Sequence, residues 1–364
     1  MRCAVFDAAA PGGVRLGKCR KRRFSVPPTL LRRGTVVCRV VCAGLNPVDS
    51  KFVLGDKVPS MAWAAQSLEG STPGFDFSGY VLDAPKNSGF QKDQAVYGLA
   101  CDPAALAWGS LKGSLAEVVA APIDQIAKKP ETLTFQVRGA ALPLAWTTVL
   151  QALEPVARRG DRILVIGASG GVGHCAVQIA IAKYSAEVTA ICSGANEAFV
   201  RYCGAAKVLD YTKCEVFEEL KADVAVHGPF DVVLDCVSSN DSRDSDYAAM
   251  LQIRPALLSK RRGNYVVLGG SPLTWCRAGL KKCGVDTFRG AFKLFWITMP
   301  HASEWLAEAA ALVDACGLKP RVEAVAFESA GLCEAFEKLR SRRTKGKLVV
   351  DVSPAPIRHV DDRT

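Results

Sequence analysis

Before about residue 142 the chain alternates hydrophobic and polar positions in short runs, as at Val36 to Val41 and Gly79 to Leu82, with Pro27, Pro28, Pro47 and Pro73 as breaks. A period of two sends successive side chains to opposite faces, so this part is expected to be β structure with little helix. From Leu142 the texture changes. Apolar runs of strand length lead through turn residues into helical spacing: Arg162 to Ile166 then Val172 to Lys183, and Glu187 to Cys192 then Glu197 to Tyr202. The alternation continues through Lys207 to Tyr211, Phe230 to Cys236 and Asn264 to Leu268. Strands separated by helices of this length pair in parallel through right-handed crossovers, which predicts a doubly wound α/β sheet. After a helix at Ser303 to Cys316 come β character at Arg321 to Phe327, an amphipathic helix near Glu334 to Leu339, and a last strand at Lys347 to Val352. A β-rich start and a β-containing end around a continuous α/β insert imply one discontinuous domain, with a cleft between it and the second. Residues 354–364 read as a polar tail.

Composition narrows the class. The 364 residues, 49% hydrophobic and 23% charged, suit two or three globular domains and exclude disorder, collagen and coiled coil. No apolar run approaches the roughly 18 residues that cross a bilayer, and no secretory start is present, so a soluble, unprocessed, cytoplasmic protein is expected. The 14 cysteines scatter singly, with no Cys-x-x-Cys pair, which points to a reducing compartment. Cys38 and Cys42 lie in an alternating apolar segment that suits buried thiols better than a metal pair. A formal charge of +10 gathers in three clusters: Lys18 to Arg23, Lys260 to Arg262, and Arg340, Arg342, Arg343, Lys345 and Lys347. The first two read as solvated faces; the competing reading is a nucleic-acid or membrane-surface binding protein, for which no RNA-binding motif or long basic amphipathic helix speaks.

The richest stretch is Arg162-Ile-Leu-Val-Ile-Gly167-Ala-Ser169-Gly170-Gly171-Val172-Gly173-His174. A buried strand enters glycines and then a helix, the arrangement that holds a dinucleotide pyrophosphate. One glycine makes the tight turn, one lets the backbone approach the phosphates, and one lets helix and strand pack closely. The helix N-terminus then favours the negative charge. The spacing is Gly-x-x-Gly-x-x-Gly rather than the strict dinucleotide fingerprint, and the position within a βαβ series gives it weight. Ser169, Gly170, Gly171, Val172 and Gly173 are the candidate phosphate cradle, and His174 is assigned no chemistry. At the end of the next strand an acidic residue would bind a free ribose; here stand Ser193 and Asn196, which can donate to a 2′-phosphate, so NADPH is favoured over NADH. Tyr211, ending the third strand, either flanks an adenine or packs in the core.

With these residues in view the chain resembles the zinc-free quinone oxidoreductase branch of the medium-chain dehydrogenase/reductase superfamily, the zeta-crystallin-like proteins and related enone reductases. The likeness runs through Gly44-Leu-Asn46-Pro47-Val-Asp49-Ser-Lys51, Pro73-Gly74-Phe-Asp76-Phe-Ser-Gly79, Gly113-Ser-Leu-Ala-Glu117 and Leu142-Pro-Leu-Ala-Trp-Thr-Thr148. It continues through the glycine loop, Val208-Leu-Asp210-Tyr211, Phe230-Asp-Val-Val-Leu-Asp235 and Lys345-Gly-Lys347-Leu-Val-Val. It implies a GroES-like β domain over residues 1–135, completed by 322–353, and a Rossmann domain over 136–321. Zinc alcohol dehydrogenases of the superfamily carry cysteine at the position of Asn46, and histidine and glutamate at those of Phe75 and Asp76. No zinc is therefore expected, and without a Lewis acid simple alcohol oxidation loses its alkoxide stabilisation.

What remains is hydride transfer to an acceptor that is already electrophilic, a quinone or an α,β-unsaturated carbonyl. The resemblance puts Asn46 and Thr148 on the nicotinamide side of the cleft. Asn46 would donate to substrate oxygen or orient the carboxamide, or else serve as a turn residue before Pro47; Lys51 is a candidate proton donor or a plain surface charge. Lys57 stands roughly where related quinone reductases carry a tyrosine, which leaves the final protonation to water or another group. By family position Arg342 would reach the 2′-phosphate and Lys347 the cofactor side of the cleft, with Gly269 after the strand at Asn264 to Leu268 also at the cofactor. The family further implies a homodimer, in which Asp286 to Pro300 would pair subunits or line the acceptor pocket.

Overall fold

The computed structural model describes residues 2–7, 9–10, 13–18, 34–51, 70–100, 112–134, 139–213, 215–238, 247, 255–268, 292–294 and 302–353. The first part holds β1 (Arg2–Phe6), β2 (Val14–Lys18), β3 (Thr35–Leu45), a short α1 (Pro47–Lys51), β4 (Asp76–Asp83), β5 (Ala95–Leu99), β6 (Val118–Pro122) and β7 (Ile126–Lys128). Next come α2 (Pro143–Leu153), β8 (Arg162–Ile166), α3 (Gly173–Tyr184), β9 (Glu187–Cys192), α4 (Glu197–Tyr202), β10 (Lys207–Asp210), α5 (Val216–His227), β11 (Val232–Asp235), β12 (Asn264–Val267) and β13 (Phe292–Leu294). The chain closes with α6 (Ala302–Cys316), β14 (Val322–Ala326), α7 (Ser329–Ser341) and β15 (Lys347–Asp351).

Two larger sheets result. One runs β14-β15-β3-β4-β5-β7, with β6 also paired to β3, so the last two strands of the chain join a sheet begun by the first strands. β15 lies antiparallel to β3, setting Leu348 opposite Leu45 and Val349 opposite Gly44. The other sheet runs β10-β9-β8-β11-β12-β13, all parallel. Its order reverses between β8 and β11, and in such sheets the crevice at the strand carboxyl ends there is the ligand-binding place. The fold is thus mixed α/β, a GroES-like β unit beside a Rossmann unit.

Both faces of the parallel sheet are covered, which is why β8 reads as a continuous apolar run; Ile163, Leu164, Val165 and Ile166 are all buried. α2 is hydrophobic nearly all round because it sits between elements: Trp146, Val149, Leu150 and Leu153 are fully enclosed, and α6 packs against it. Tyr97 of β5 donates its hydroxyl to the Leu306 carbonyl of α6, tying the β unit to that helix. Cys38 and Cys42 are buried thiols, and burial pushes Cys38 up to about 12. Of the segment Asp286 to Pro300, three residues form the edge strand β13 beside β12, and the remainder lies outside the described residues. Lys57, Gly269 and the tail 354–364 also lie outside them, as does the side chain of Lys51. Among the described residues no helix is long and apolar enough to cross a membrane.

Candidate active site

The glycine loop joins β8 to α3 at the reversal of strand order. Gly167 takes a φ of 77°, a left-handed turn that a side chain would strain. Gly173 has no room for one: a Cβ there would lie 2.1 Å from the Gly167 carbonyl oxygen, so helix and strand meet through bare backbone. Gly170 is different. A Cβ at that position would meet only the Gly167 carbonyl, at 3.4 Å, so the protein's own packing does not demand a glycine there. A ligand pressed against the backbone would, and the described loop fits a dinucleotide pyrophosphate.

At the end of β9 three predicted residues come together. The Asn196 side-chain amide donates to Ser169 Oγ at 3.1 Å and to Ser193 Oγ at 3.2 Å, linking the glycine loop to the turn after β9. Both hydroxyls act there as acceptors, which leaves their hydrogens for a ligand. Lys345 lies over the Phe199 ring at 5.2 Å, so a cation of the C-terminal cluster reaches this corner, and sequence reasoning had not singled it out. The backbone of Arg342 caps α7 in a left-handed conformation, with φ 58° and its N–H on the Leu339 carbonyl. Tyr211 is 54% exposed, so its packing in the core is ruled out. A carboxylate does lie near, contrary to the reading from β9 alone: Asp210 pairs with Cys192 across β10 and β9, and its Oδ2 sits where a Cβ on Gly194 would go. Asp210 is occupied by Thr212, whose N–H and hydroxyl both reach its Oδ1, and Lys213 stands 3.7 Å away. These bonds, led by the Thr212 hydroxyl, hold its carboxyl below the usual range.

The C-terminal strand closes over the loop. Gly346 N–H donates to the Ser169 carbonyl at 2.9 Å, and a Cβ on Gly171 would meet the Lys347 stem at 3.1 Å. Beyond that stem the Lys347 ammonium donates to Asn46 Oδ1 at 2.5 Å and to Asp76 Oδ2 at 2.9 Å. Asn46 Nδ2 donates to the same Asp76 oxygen at 2.9 Å, and Asp76 Oδ1 accepts the Leu144 N–H at 2.9 Å at the start of α2. Asn46, Asp76 and Lys347 are all buried. Thr148, on α2, keeps 9% of its surface.

Local sequence explains how Asn46 is held. It precedes Pro47 at the first position of α1, and Asp49, three residues on, reaches back to accept the Asn46 N–H at 2.7 Å, one half of a capping box, while the Asn46 side chain turns to Asp76 and Lys347. Asp49 is fully enclosed, and its Oδ1 has no hydrogen-bond partner. Burial pushes its carboxyl up to about 7, with the Asp76 charge adding to the rise and the Asn46 N–H and Lys347 opposing it.

His174 takes a structural part that its sequence position did not suggest. Its Nδ1 lies 2.8 Å from the Gly170 carbonyl, and its Nε2 accepts the Arg321 N–H at 3.2 Å. The signal that could have found it is a histidine on the first turn of a helix that is otherwise mostly apolar and buried.

Comparison with known proteins agrees with this architecture. Residues 32–131 match the alcohol dehydrogenase GroES-like domain, and residues 203–350 match the family described as zinc-binding dehydrogenase. The trans-enoyl reductase pgmF of Aspergillus terreus is 31% identical over 343 residues, 87% of this chain and 86% of that protein. The mitochondrial NAD(P)H oxidoreductase RTN4IP1 of Homo sapiens is 28% identical over 366 residues, 92% of this chain and 87% of that one. The quinone oxidoreductase of Coxiella burnetii superposes with a TM-score of 0.74, covering 97% of this chain and 100% of its own at 24% identity, a likeness of fold. The chain belongs to the medium-chain dehydrogenase/reductase superfamily, in its quinone and enone oxidoreductase branch. It is an oxidoreductase of that family.

The zinc in the description of the second family is poorly matched by the residues here. Asn46 Oδ1 and Asp76 Oδ2, at two of the positions where zinc relatives carry ligands, both accept from an ammonium, and the third position is the buried Phe75. A cation set among these donors would face the Lys347 charge. Among the described residues no three His, Cys, Asp or Glu side chains gather as a metal would need.

Proposed function

We propose that the protein is an NADPH-dependent reductase that passes hydride to a quinone or an α,β-unsaturated carbonyl without help from a metal. The observation that carries this reading is the contact of Lys347 with both halves of the site: its stem against Gly171 of the phosphate loop, its ammonium on Asn46 and Asp76. A dinucleotide on the loop would bring its nicotinamide toward the buried polar cluster. NADPH would supply the hydride there.

The chain's own residues do the rest. The loop amides and the start of α3 take the pyrophosphate. The Ser169 and Ser193 hydroxyls and Lys345 favour an added phosphate on the adenosine ribose, as hydroxyl donors and a cation do. Asn46 offers an amide hydrogen to the carbonyl oxygen of the acceptor, whose charge grows as hydride arrives. The trans-enoyl reductase relative supports an activated double bond as the acceptor, and the NAD(P)H oxidoreductase relative supports a nicotinamide donor.

The test is NADPH and NADH oxidation, followed at 340 nm, with 1,4-naphthoquinone, trans-2-hexenal and ethanol's product acetaldehyde as acceptors, with and without EDTA. NADPH oxidation with the first or second acceptor, unchanged by EDTA, is expected. Turnover of acetaldehyde alone, or activity abolished by the chelator and restored by zinc, would overturn the reading.

A further inference from the structure

Asn46 and Lys347 together leave two hydrogens unspent. The amide orientation of Asn46 is set by its neighbours, since its oxygen must face the ammonium and its nitrogen the carboxylate. One of the two Nδ2 hydrogens goes to Asp76 Oδ2, and two of the three ammonium hydrogens go to Asn46 Oδ1 and Asp76 Oδ2. Among the described residues the remaining amide hydrogen and the remaining ammonium hydrogen have no acceptor. Only 3% of the Lys347 side chain reaches solvent, so water does little for either.

A buried ion pair is a weak staple, because desolvating both charges offsets most of their attraction. Two further donors left without partners add to that cost. The arrangement makes sense when an oxygen from outside accepts both, and the Lys347 stem against Gly171 puts the cluster beside the phosphate loop.

We propose that the Asn46 amide and the Lys347 ammonium form a two-donor oxyanion site, with Asp76 as the residue that positions both. The proposal rests on the reductase reading above and adds Lys347 to its chemistry. Hydride from the reduced nicotinamide, a two-electron donor, forms a C–H bond at the electrophilic carbon of the acceptor. The conjugated π pair shifts, and the carbonyl π pair moves onto oxygen, giving an enolate beside the oxidised nicotinamide; from a quinone, this enolate becomes the hydroquinone anion when the carbon that took the hydride gives one proton to water and the second oxygen takes one from water. That oxygen accepts both hydrogens; Lys347 keeps its proton, and water supplies the one that completes the product. In an enclosed site such donors act far more strongly than in water.

Two measurements test it. The first needs no turnover: 4-nitrophenol, a stable mimic of an enolate oxygen, is titrated at 400 nm with the wild-type protein saturated in NADP+. Bound phenol ionising at a pH at least one unit lower than free phenol is expected; unchanged ionisation overturns the proposal. The second uses the Lys347→Met, Asp76→Asn double variant, which removes both buried charges at once and so avoids an unpaired carboxylate. It should bind NADPH within threefold of wild type by nucleotide fluorescence, lose the phenol shift, and show a kcat for naphthoquinone lower by about 100-fold. Retained kcat with NADPH affinity weakened tenfold would assign Lys347 to the cofactor phosphates and overturn the proposal. If the double variant does not fold, the wild-type phenol titration decides alone. Wild-type protein that oxidises NADPH with none of the acceptors sinks the reductase reading instead, a separate outcome.

Discussion

The His174 imidazole accepts the backbone N–H of Arg321 at 3.2 Å, joining the helix that follows the phosphate loop to the segment entering β14. Its other nitrogen faces the Gly170 carbonyl at 2.8 Å, so that nitrogen carries the hydrogen and the ring is neutral.

Burial pushes this histidine down from 6.5 to about 4, with Lys347 adding to the fall and the Gly170 carbonyl opposing it. A base depressed on folding contributes stability above its unfolded value that is lost as pH falls toward the folded one. Wild type should therefore weaken between pH 6.5 and 4 by up to about 1.4 kcal/mol per pH unit from this group. Urea unfolding across that range checks it: His174→Gln, which cannot titrate, should show a shallower slope, and equal slopes would remove the neutral ring from the account.

Asp49 gives a slope from an acid. Its carboxyl is raised from 3.8 to about 7, so the folded chain holds a proton that the unfolded chain releases. Stability from this group is therefore highest below about pH 4 and declines through pH 7, after which it is level. Asp76 and Lys347 face the same pocket, and Asp49→Asn keeps an oxygen for the Asn46 N–H. The melting temperature of Asp49→Asn relative to wild type should be higher at pH 8.5 than at pH 5. A difference that stays constant with pH would show that Asp49 does not titrate in this window.

Gly170 and Gly173 should part company on substitution. Gly173→Ala places a Cβ 2.1 Å from a carbonyl oxygen, and the protein should melt lower or fail to accumulate. Gly170→Ala meets no such obstacle, and its melting temperature should match wild type while NADPH affinity falls about tenfold, some 1.4 kcal/mol. Calorimetry of both variants separates the roles, and equal losses of stability would refute the distinction.

Ser193→Asp tests the nucleotide preference. A carboxylate at the end of β9 would repel a 2′-phosphate and accept from a free ribose. The ratio of kcat/KM for NADPH over NADH should fall by at least about 30-fold, roughly 2 kcal/mol. An unchanged ratio would mean that the phosphate, if recognised, is held elsewhere.

Much of the architecture was legible along the chain because its signals are local. β9 and α4 lie where the pattern put them, at Glu187 to Cys192 and Glu197 to Tyr202. The glycines likewise divided into a tight turn at Gly167, an open position at Gly170 and a close contact at Gly173. α7 runs longer than the predicted amphipathic stretch, starting at Ser329 rather than Glu334: its buried face already begins at Leu332 and continues through Ala335, Phe336 and Leu339, while Ser329 and Ala330 before it are exposed. The nearby carboxylate was missed because it belongs to the neighbouring strand: Asp210 is 18 residues after Cys192 yet pairs beside it.

The order of apolar runs, glycines and turn residues by itself determined the parallel sheet, the glycine turn between β8 and α3 and the family, since each depends on contacts within a few residues. Only the tertiary structure decided what Asn46 and Lys347 do, because they stand 301 positions apart and meet through the antiparallel pairing of β15 with β3. A lysine in an apolar strand gives no hint of which carboxylate will compensate its charge. That answer comes from the burial of Asp76 at the same spot, where neither charge is tolerable without the other.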